Sequence, residues 1–335
     1  MIVFRTDANS SIGFGHLMRC RVLAYTIKYM GHDVAMIGPS LLYKTKEDNL
    51  VFKYWIPIVS WEDSFQDTSL LLDFYKQING KFIVLDDYRI DSEYLNILRS
   101  YGIKTLQFQA NFNASLNVNL ILNTSPAATK EKYHFSKLTN ARFLLGAKYA
   151  ILRDELLNKN IKYSEDNKVL VCFGGGSDRG AIKLTLNSVC KHFPNYRFTI
   201  ISGKHNPNNE LLKEIIANSH SNVNLMINPS NVPELYSESS FMITAGGGTT
   251  FEAAFYKIPM LIIATDERQV NQSKAWSDLG AGYYLGPVDR VSSEQFIGSF
   301  LSLITEHSYF EQKFTGSIDG LGKVRIAQEI IQLIH

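Results

Sequence analysis

Short apolar runs alternate with amphipathic stretches along the whole chain, and this alternation restricts the fold more than any other feature. The chain begins with the strand pattern MIVFRTD, continues with a helical pattern that ends at Gly31, and then gives the strands HDVAMIGP and KFIVLDDY. The same order starts again with NKVLVCFGGGSDRG, near Lys168. Strands that alternate with helices form parallel sheets covered by helices. The pattern therefore predicts an α/β fold with two doubly wound domains of the Rossmann type.

A polar stretch, NKNIKYSEDNK, separates the two series and has little apolar periodicity, which is typical of a linker. The length of 335 residues also favours two domains over one. We therefore expect an N-terminal domain over residues 1–150, a linker over 151–167 and a C-terminal domain over 168–335.

Charge and composition exclude several classes of partner. The 34 basic and 32 acidic residues nearly balance, whereas a nucleic-acid-binding protein needs a concentrated basic face. No apolar run reaches the ~18 residues of a membrane span, and no signal peptide is evident. Cys20, Cys172 and Cys190 have neither disulfide-framework nor metal-site spacing. We expect a cytoplasmic protein that binds neither nucleic acid nor membrane; the oligomeric state is left open.

A first glycine turn, DANSSIGFGH, follows the first strand and contains Gly13 and Gly15 directly before His16. Ligands of open α/β sheets bind at such strand ends, where glycines allow a close approach to the backbone. Met18 stands where a dinucleotide fingerprint has its third glycine, which argues against a dinucleotide. His16 therefore marks a candidate site for another ligand.

Two further glycine turns, CFGGGSDRG and TAGGGTTFE, each follow a strand and precede a helix, whose N-terminus favours phosphate. The second turn lacks the Gly-Lys-Ser/Thr of nucleotide triphosphatases. A threonine of the third turn could cap its helix or donate to phosphate, and Glu252 could accept from ribose hydroxyls or pair with the helix N-terminus. Tight strand–helix packing is the structural alternative for each turn. The predicted ligand-binding residues are Gly174, Gly175, Gly176, Ser177, Gly246, Gly247, Gly248, Thr249, Thr250 and Glu252.

The third turn and the sequence after it resemble the donor site of nucleotide-sugar glycosyltransferases with the GT-B fold. The stretch from AGGGTTFE to the Asn271–Gln272 pair carries this resemblance. Four other segments, FRTDANSSIGFGHLMRC, LDDYRID with Tyr88, GAKYAILRDEL and FGGGSD, are similar to the UDP-sugar hydrolases of pseudaminic acid biosynthesis. The resemblance runs over nearly the whole chain.

The resemblance implies a GT-B fold whose two domains face each other across a cleft, with UDP bound by the C-terminal domain. It implies hydrolysis of the C1–O bond of a UDP-2,4-diacetamido-2,4,6-trideoxyhexose, with inversion, to free sugar and UDP. No cofactor is implied, and no Asp-x-Asp cluster suggests a metal. Gln109 and Ala110 stand where the family has an acidic pair, so the exact sugar and the choice between hydrolase and transferase stay open. A glycosyltransferase with a sugar or peptide acceptor and a non-catalytic nucleotide-sugar binding protein are the alternatives.

The resemblance makes His16 the catalytic base. Its expected place near the positive end of the first helix favours a neutral ring, which can take a proton from water. The residues alone give equal weight to a histidine that only hydrogen-bonds the loop. Asp7 could orient His16, bind sugar hydroxyls or pair with Arg5. Tyr88 could contact the sugar or belong to the core.

Arg153 lies near the expected domain boundary. We expect an ion pair between the domains at this residue, with phosphate binding as the second possibility.

Overall fold

The computed structural model describes the chain except for residues 10–13, 59–60, 62, 109–116, 134–140, 158–166, 205, 220 and 314–317. Its contacts divide the chain into two compact units. Unit 1 comprises Met1–Ile151 and Gly320–His335, and unit 2 comprises Leu152–Asp319.

The strands are short and largely apolar. In chain order they are β1 (Ile2–Thr6), β2 (Val34–Gly38), β3 (Phe52–Pro57), β4 (Phe82–Asp86), β5 (Thr105–Phe108), β6 (Leu120–Asn123), β7 (Arg142–Leu145), β8 (Lys168–Cys172), β9 (Arg197–Ser202), β10 (Val223–Ile227), β11 (Phe241–Thr244), β12 (Met260–Ala264) and β13 (Gly282–Pro287).

The helices lie between these strands, except for the last three, which follow β13. In chain order they are α1 (Gly15–Tyr29), α2 (Asp48–Val51), α3 (Ser64–Gln77), α4 (Ser92–Ser100), α5 (Asp154–Leu157), α6 (Ala181–Thr185), α7 (Asn209–Ser219), α8 (Val232–Ser237), α9 (Thr249–Phe255), α10 (Val270–Asp278), α11 (Ser293–Thr305), α12 (His307–Lys313) and α13 (Gly322–Ile334). A π-helical turn, Leu186–Cys190, continues α6.

Unit 1 contains a parallel sheet in the order β3-β2-β1-β4-β5-β6-β7. Every residue of β1 and β4 is buried, as expected for central strands that helices cover on both faces. The chain runs from β1 to β2 and β3 on one side, and then crosses to β4 on the other side of β1. The strand order therefore reverses between β1 and β4, where Thr6 pairs with Asp86. Ligands of open α/β sheets bind at such a switch point.

Unit 2 repeats this plan with a parallel sheet in the order β10-β9-β8-β11-β12-β13. Its switch point lies between β8 and β11, where Cys172 pairs with Thr244. The hydroxyl of Thr244 also donates to the carbonyl oxygen of Cys172 at 2.9 Å. The second glycine turn follows β8 and the third follows β11, so both lie at this switch point.

The last helix, α13, packs on unit 1, whereas the sequence analysis assigned its residues to the domain over 168–335. Its buried stripe of Ile326, Ala327 and Ile330 belongs to the same core as Leu23 and Ile27 of α1. These contacts hold the end of the chain on unit 1. Most of the predicted linker, residues 158–166, lies outside the described residues, and the predicted boundary there stays a prediction.

Candidate functional site

His16 and Asp86 meet at the switch point of unit 1. His16 lies in the first turn of α1, while Asp86 is the last residue of β4. The Nδ1 atom of His16 is 2.6 Å from Oδ1 of Asp86, and the two side chains are 7% and 1% exposed. Because an ionised carboxylate only accepts hydrogen bonds, we assign a proton to Nδ1. The lone pair of the neutral ring then lies on Nε2, which can accept a proton.

Arg19, one turn further along α1, holds the same carboxylate. Its Nε donates to Oδ2 of Asp86 at 2.5 Å, and its Nη2 donates to Oδ1. The guanidinium also lies over the ring of Phe108, 4.4 Å from its centre. Burial alone would raise the pKa of Asp86, but Arg19 and His16 lower it to about 2. Asp86 is therefore an anion at neutral pH.

Tyr88 borders this pair on the exposed side. Its ring packs edge-on against the ring of His16, with 4.4 Å between the centres. The residue is 55% exposed, so it is not a core tyrosine. Packing against the imidazole places the phenol beside the predicted base.

Asp7 pairs with a different residue from those considered in the sequence analysis. Its Oδ2 accepts from Nη2 of Arg89 at 2.6 Å, and its Oδ1 accepts from the backbone N–H of Ala8. The carboxylate that contacts His16 is Asp86. Arg5, the other suggested partner of Asp7, binds Asp67 through Nε and Nη2 at 2.9 and 2.7 Å.

A chain of paired charges, most of them buried, supports the segment that follows β4. Arg5 is fully buried between two carboxylates, Asp67 of α3 and Asp87. Asp67 also accepts from the hydroxyl of Tyr94. Asp87 in turn accepts from Nε and Nη2 of Arg89 at 2.9 and 2.5 Å. Buried charges need such partners because an unpaired ion in the interior is strongly unfavourable. The network fixes the backbone on which Asp86 and Tyr88 are placed.

The glycines of the first turn are only partly described. Gly13 lies outside the described residues, as do Gln109 and Ala110. Gly15 begins α1, and a Cβ atom at this position would meet no heavy atom within 4 Å. Packing therefore does not require glycine here, and the space beside the backbone is open.

The second turn is held by residues that the sequence analysis did not single out. Asp178 is 2% exposed and accepts from the N–H of Gly180 at 2.6 Å and from the amide of Asn206 at 2.7 Å. A Cβ atom on Gly203 would lie 2.1 Å from the carbonyl oxygen of Gly175, so only glycine fits there. Gly174 has a φ of +96°, which glycine adopts without strain.

The predicted ligand contacts of this turn are Gly174, Gly175, Gly176 and Ser177. A Cβ atom added at any of these three glycines would meet no heavy atom within 4 Å. Ser177 is exposed, and its hydroxyl accepts from the N–H of Arg179 at 3.3 Å. The backbone of the turn is therefore open on its outer side.

Two glutamines hold the third turn, Gly246, Gly247 and Gly248. Gln272 donates through Nε2 to the carbonyl oxygens of Gly246 and Gly247 at 2.7 and 3.0 Å. Gln269, which the sequence analysis did not name, accepts through Oε1 from the N–H of Gly246 at 3.2 Å. Gln272 thus shapes the turn, whereas the neighbouring Asn271 is exposed.

The two threonines of the third turn direct their hydroxyls into the turn itself. Thr250 is fully buried and donates to the carbonyl oxygen of Gly247 at 2.7 Å. The hydroxyl of Thr249 lies 2.6 Å from that of Thr244. Gly248 occupies the position before α9, and neither threonine caps the helix. A phosphate contact of Thr249 would have to come from its backbone N–H or from a shared hydroxyl, and the N–H of Thr250 already donates to the carbonyl oxygen of Gly247 at 3.2 Å.

Glu252 has two partners within unit 2. Its Oε2 accepts from the hydroxyl of Tyr236 at 2.7 Å, and its Oε1 is 3.4 Å from Nη2 of Arg153. Burial and the Glu252 carboxylate raise the pKa of Tyr236 well above its ordinary value, so its hydroxyl keeps the proton that it donates. Arg153 also pairs with Glu155 at 2.6 Å. Arg153, Glu155 and Glu252 all belong to unit 2, so these two ion pairs are not the contact between the domains that we expected at Arg153.

Within the described part of the chain, no group of three or more His, Cys, Asp or Glu side chains is placed to hold a metal ion. Among the helices described, none combines the length and the apolar character needed to cross a bilayer. The three cysteines are buried thiols.

Comparison with known sequences finds related proteins of modest identity. A UDP-2,4-diacetamido-2,4,6-trideoxy-β-L-altropyranose hydrolase of Campylobacter jejuni is 26% identical over 76% of this chain and 88% of its own length. A Helicobacter pylori protein named as both a pseudaminic acid cytidylyltransferase and that hydrolase is 23% identical over 82% of this chain. An uncharacterised protein of Methanocaldococcus jannaschii is 24% identical over 80% of this chain. This chain spans only 46% and 56% of the last two relatives, and no family model matches it.

Solved structures with the same fold are glycosyltransferases and related nucleotide-binding proteins. Spinosyn rhamnosyltransferase SpnG has a TM-score of 0.69 at 13% identity, covering 98% of this chain and 99% of its own. MurG of Acinetobacter baumannii has a TM-score of 0.66 at 13% identity, covering 99% of both chains. MnaA of S. aureus, solved with UDP, has a TM-score of 0.63 at 13% identity, covering 99% of this chain and 96% of its own. At these identities the likeness shows the fold alone.

Both parts of the predicted resemblance are confirmed. The chain is similar to UDP-sugar hydrolases in sequence, and its two parallel-sheet units have the fold of GT-B glycosyltransferases. The predicted cleft between the domains and the roles of the individual site residues stay predictions.

Proposed function

We propose that this chain hydrolyses a UDP-sugar of the UDP-2,4-diacetamido-2,4,6-trideoxyhexose class to free sugar and UDP, as part of pseudaminic acid biosynthesis. The substrate class comes from the names of the Campylobacter and Helicobacter relatives. The observation that carries the reaction type is the hydrogen bond between His16 and Asp86 at the switch point of unit 1. A module that only binds a nucleotide sugar has no need of an oriented, buried imidazole–carboxylate pair.

In the proposed reaction, His16 is the general base. Nε2 takes a proton from water while the water oxygen forms a bond to C1 of the sugar. The C1–O bond breaks, and its electron pair leaves with the UDP oxygen. Asp86 keeps the proton on Nδ1 and stabilises the imidazolium that forms, as the carboxylate of a catalytic triad does. Attack opposite the leaving group inverts the configuration at C1.

The glycine turns of unit 2 are the proposed UDP site. They follow β8 and β11, at the switch point where open α/β sheets bind ligands. Their backbone N–H groups suit phosphate oxygens and could stabilise the charge of the departing UDP without a metal ion. Glu252 is proposed to accept from the ribose hydroxyls through Oε1, which Tyr236 does not contact and which Nη2 of Arg153 approaches to 3.4 Å. Asn271, exposed near the start of α10, completes the proposed set.

A glycosyltransferase reaction is the second candidate, favoured by the glycosyltransferases among the proteins of like fold. It uses the same UDP-sugar donor but replaces water with a sugar or peptide acceptor. A fold alone does not distinguish the two reactions, because one fold supports many activities. The need for an acceptor does distinguish them.

Release of UDP without any acceptor is the test. The protein is incubated with a panel of UDP-sugars that includes UDP-2,4-diacetamido-2,4,6-trideoxyhexoses, and UDP and free sugar are measured. We expect equal amounts of both products from a diacetamido sugar. UDP release only after addition of an acceptor would favour the transferase, and no release under either condition would favour a binding protein.

A cytoplasmic location remains part of the proposal.

A further inference from the structure

We propose that Arg19 is a positioning residue that weakens the proton affinity of His16 by neutralising Asp86, so that the imidazole stays available as a base. This inference rests on the proposed function for its effect on turnover. Its central measurement concerns the imidazole itself and needs no substrate.

The geometry places a cation and an anion on the same side of the imidazole. Asp86 Oδ1 lies 2.6 Å from Nδ1 of His16, and Nη2 of Arg19 lies 3.2 Å from the same nitrogen. Arg19 donates to both oxygens of Asp86, so the two charges form one bidentate ion pair. Such a pair fixes both the position of the carboxylate and its state of ionisation.

The two charges act on His16 in opposite directions. A buried carboxylate beside an imidazole favours the imidazolium, and a cation at similar distance disfavours it. Without Arg19, the bare Asp86 anion would hold the ring protonated up to higher pH, and a protonated ring accepts no proton from water. The positive charge of Arg19 offsets most of the effect of the Asp86 anion on the imidazole. The hydrogen bond between Nδ1 of His16 and Asp86 remains and selects the tautomer.

Few other ionisable groups of the described residues face this pair. Cys20 on α1 donates its thiol to Oδ2 of Asp86 at 3.6 Å, and burial raises its pKa well above the ordinary value, so it stays neutral. Tyr88, after β4, packs its ring on His16. From β1 the side chain of Thr6, which does not titrate, donates to the carbonyl oxygen of Asp86. Arg19 is therefore the cation that balances the carboxylate.

The experiment is a nitrogen-15 NMR titration of the histidine rings, with the signal of His16 assigned from its loss in His16→Ala. We expect the neutral ring of the wild type to carry its proton on Nδ1. In Arg19→Met and in Arg19→Gln, the midpoint of the His16 titration should rise by about one pH unit. The glutamine of the second variant can still donate one hydrogen bond to Asp86. Arg19→Lys keeps the charge and should titrate like the wild type.

Arg21→Met is the matched control. Arg21 is on the same helix and pairs with the fully buried Asp48 through Nε and Nη2 at 2.8 and 2.7 Å. Its loss removes a comparable ion pair without touching His16, so the midpoint should not change. An unchanged midpoint in both Arg19→Met and Arg19→Gln, or an equal rise in Arg19→Lys, would overturn the proposal.

Turnover gives a second and separate reading. If the chain is a hydrolase, the acid limb of the kcat/KM profile should move to higher pH in Arg19→Met by the same amount as the NMR midpoint. A wild type that releases no UDP from any UDP-sugar while the NMR midpoint shifts contradicts the proposed function and leaves this inference standing. An active wild type with identical midpoints contradicts this inference alone.

Discussion

His16 and Asp86 lie 70 residues apart in the sequence, yet Nδ1 of one is 2.6 Å from Oδ1 of the other. The contact exists because β1 and β4 are neighbours in the sheet, with Thr6 paired to Asp86. The helix that follows β1 and the end of β4 therefore meet at one edge of unit 1. This topology orients the proposed base.

Replacement of His16 by alanine should remove turnover and leave the binding of the UDP-sugar intact. A general base contributes ~10²–10⁴-fold in rate, and the proposed UDP contacts come from other residues. Turnover and the dissociation constant are measured on the same preparation. His32→Ala is the control. His32 packs against His335 and not against the proposed site, so this variant should hydrolyse the UDP-sugar at the wild-type rate. A His16→Ala variant with a third of the wild-type rate would show that His16 is not the base.

Asp86→Asn should lower kcat by ~10²–10⁴-fold, because the amide neither selects the Nδ1–H tautomer nor stabilises the imidazolium. The change also removes the anion from a buried ion pair and should lower the stability. Asp48→Asn breaks the comparable pair with Arg21 and serves as the control. We expect a similar loss of thermal stability in both variants and a loss of kcat only in Asp86→Asn; equal kcat losses would assign Asp86 a purely structural role.

Glu252→Gln should weaken UDP binding about 10–150-fold, the effect of losing a hydrogen bond to a charged group. Glutamine retains an oxygen that can accept from Tyr236, so the folded state should survive better than in the alanine variant. Calorimetry with UDP measures the affinity. Tyr236→Phe keeps the carboxylate and should bind UDP more tightly than Glu252→Gln. Unchanged affinity in Glu252→Gln would show that this carboxylate serves only its partners Tyr236 and Arg153.

Gly203→Ala should displace the second turn, because the added methyl group would clash with the backbone of Gly175. The added methyl group would come within 2.1 Å of the carbonyl oxygen of Gly175, so the turn must shift. Overpacking of this kind typically costs about 1–3 kcal/mol, and the displaced backbone should bind UDP less tightly. Gly298→Ala, on α11, meets no atom within 4 Å and should bind UDP normally. Normal UDP affinity in Gly203→Ala would show that the second turn is not part of the UDP site.

Local patterns were sufficient to predict much of the fold. The alternation of apolar runs and amphipathic stretches predicted parallel sheets, and the glycine turns were expected at strand ends. Both sheets have that form, and the turns follow β8 and β11. The return of α13 to unit 1 was missed, because an amphipathic helix shows that it packs but not on which sheet.

The partners within the site were harder to predict. Asp7, Asp86 and Asp87 all follow or end buried strands, and the sequence does not show which of them faces His16. Likewise an amide such as Gln272 can contact a ligand or hold a turn, and only its distances to Gly246 and Gly247 reveal the second role. Such choices depend on tertiary contacts between residues far apart in the chain.

Turnover in oxygen-18 water tests the central claim most directly, because it shows which bond breaks. If His16 activates water for attack at C1, the label enters the free sugar at C1 and UDP stays unlabelled. The sugar should first be seen by proton NMR as the inverted anomer. Label in UDP, or sugar 1-phosphate as a product, would mean attack at phosphorus and would contradict the account. Retention at C1 would also contradict it, since retention requires a covalent carboxylate intermediate in place of a water activated by His16.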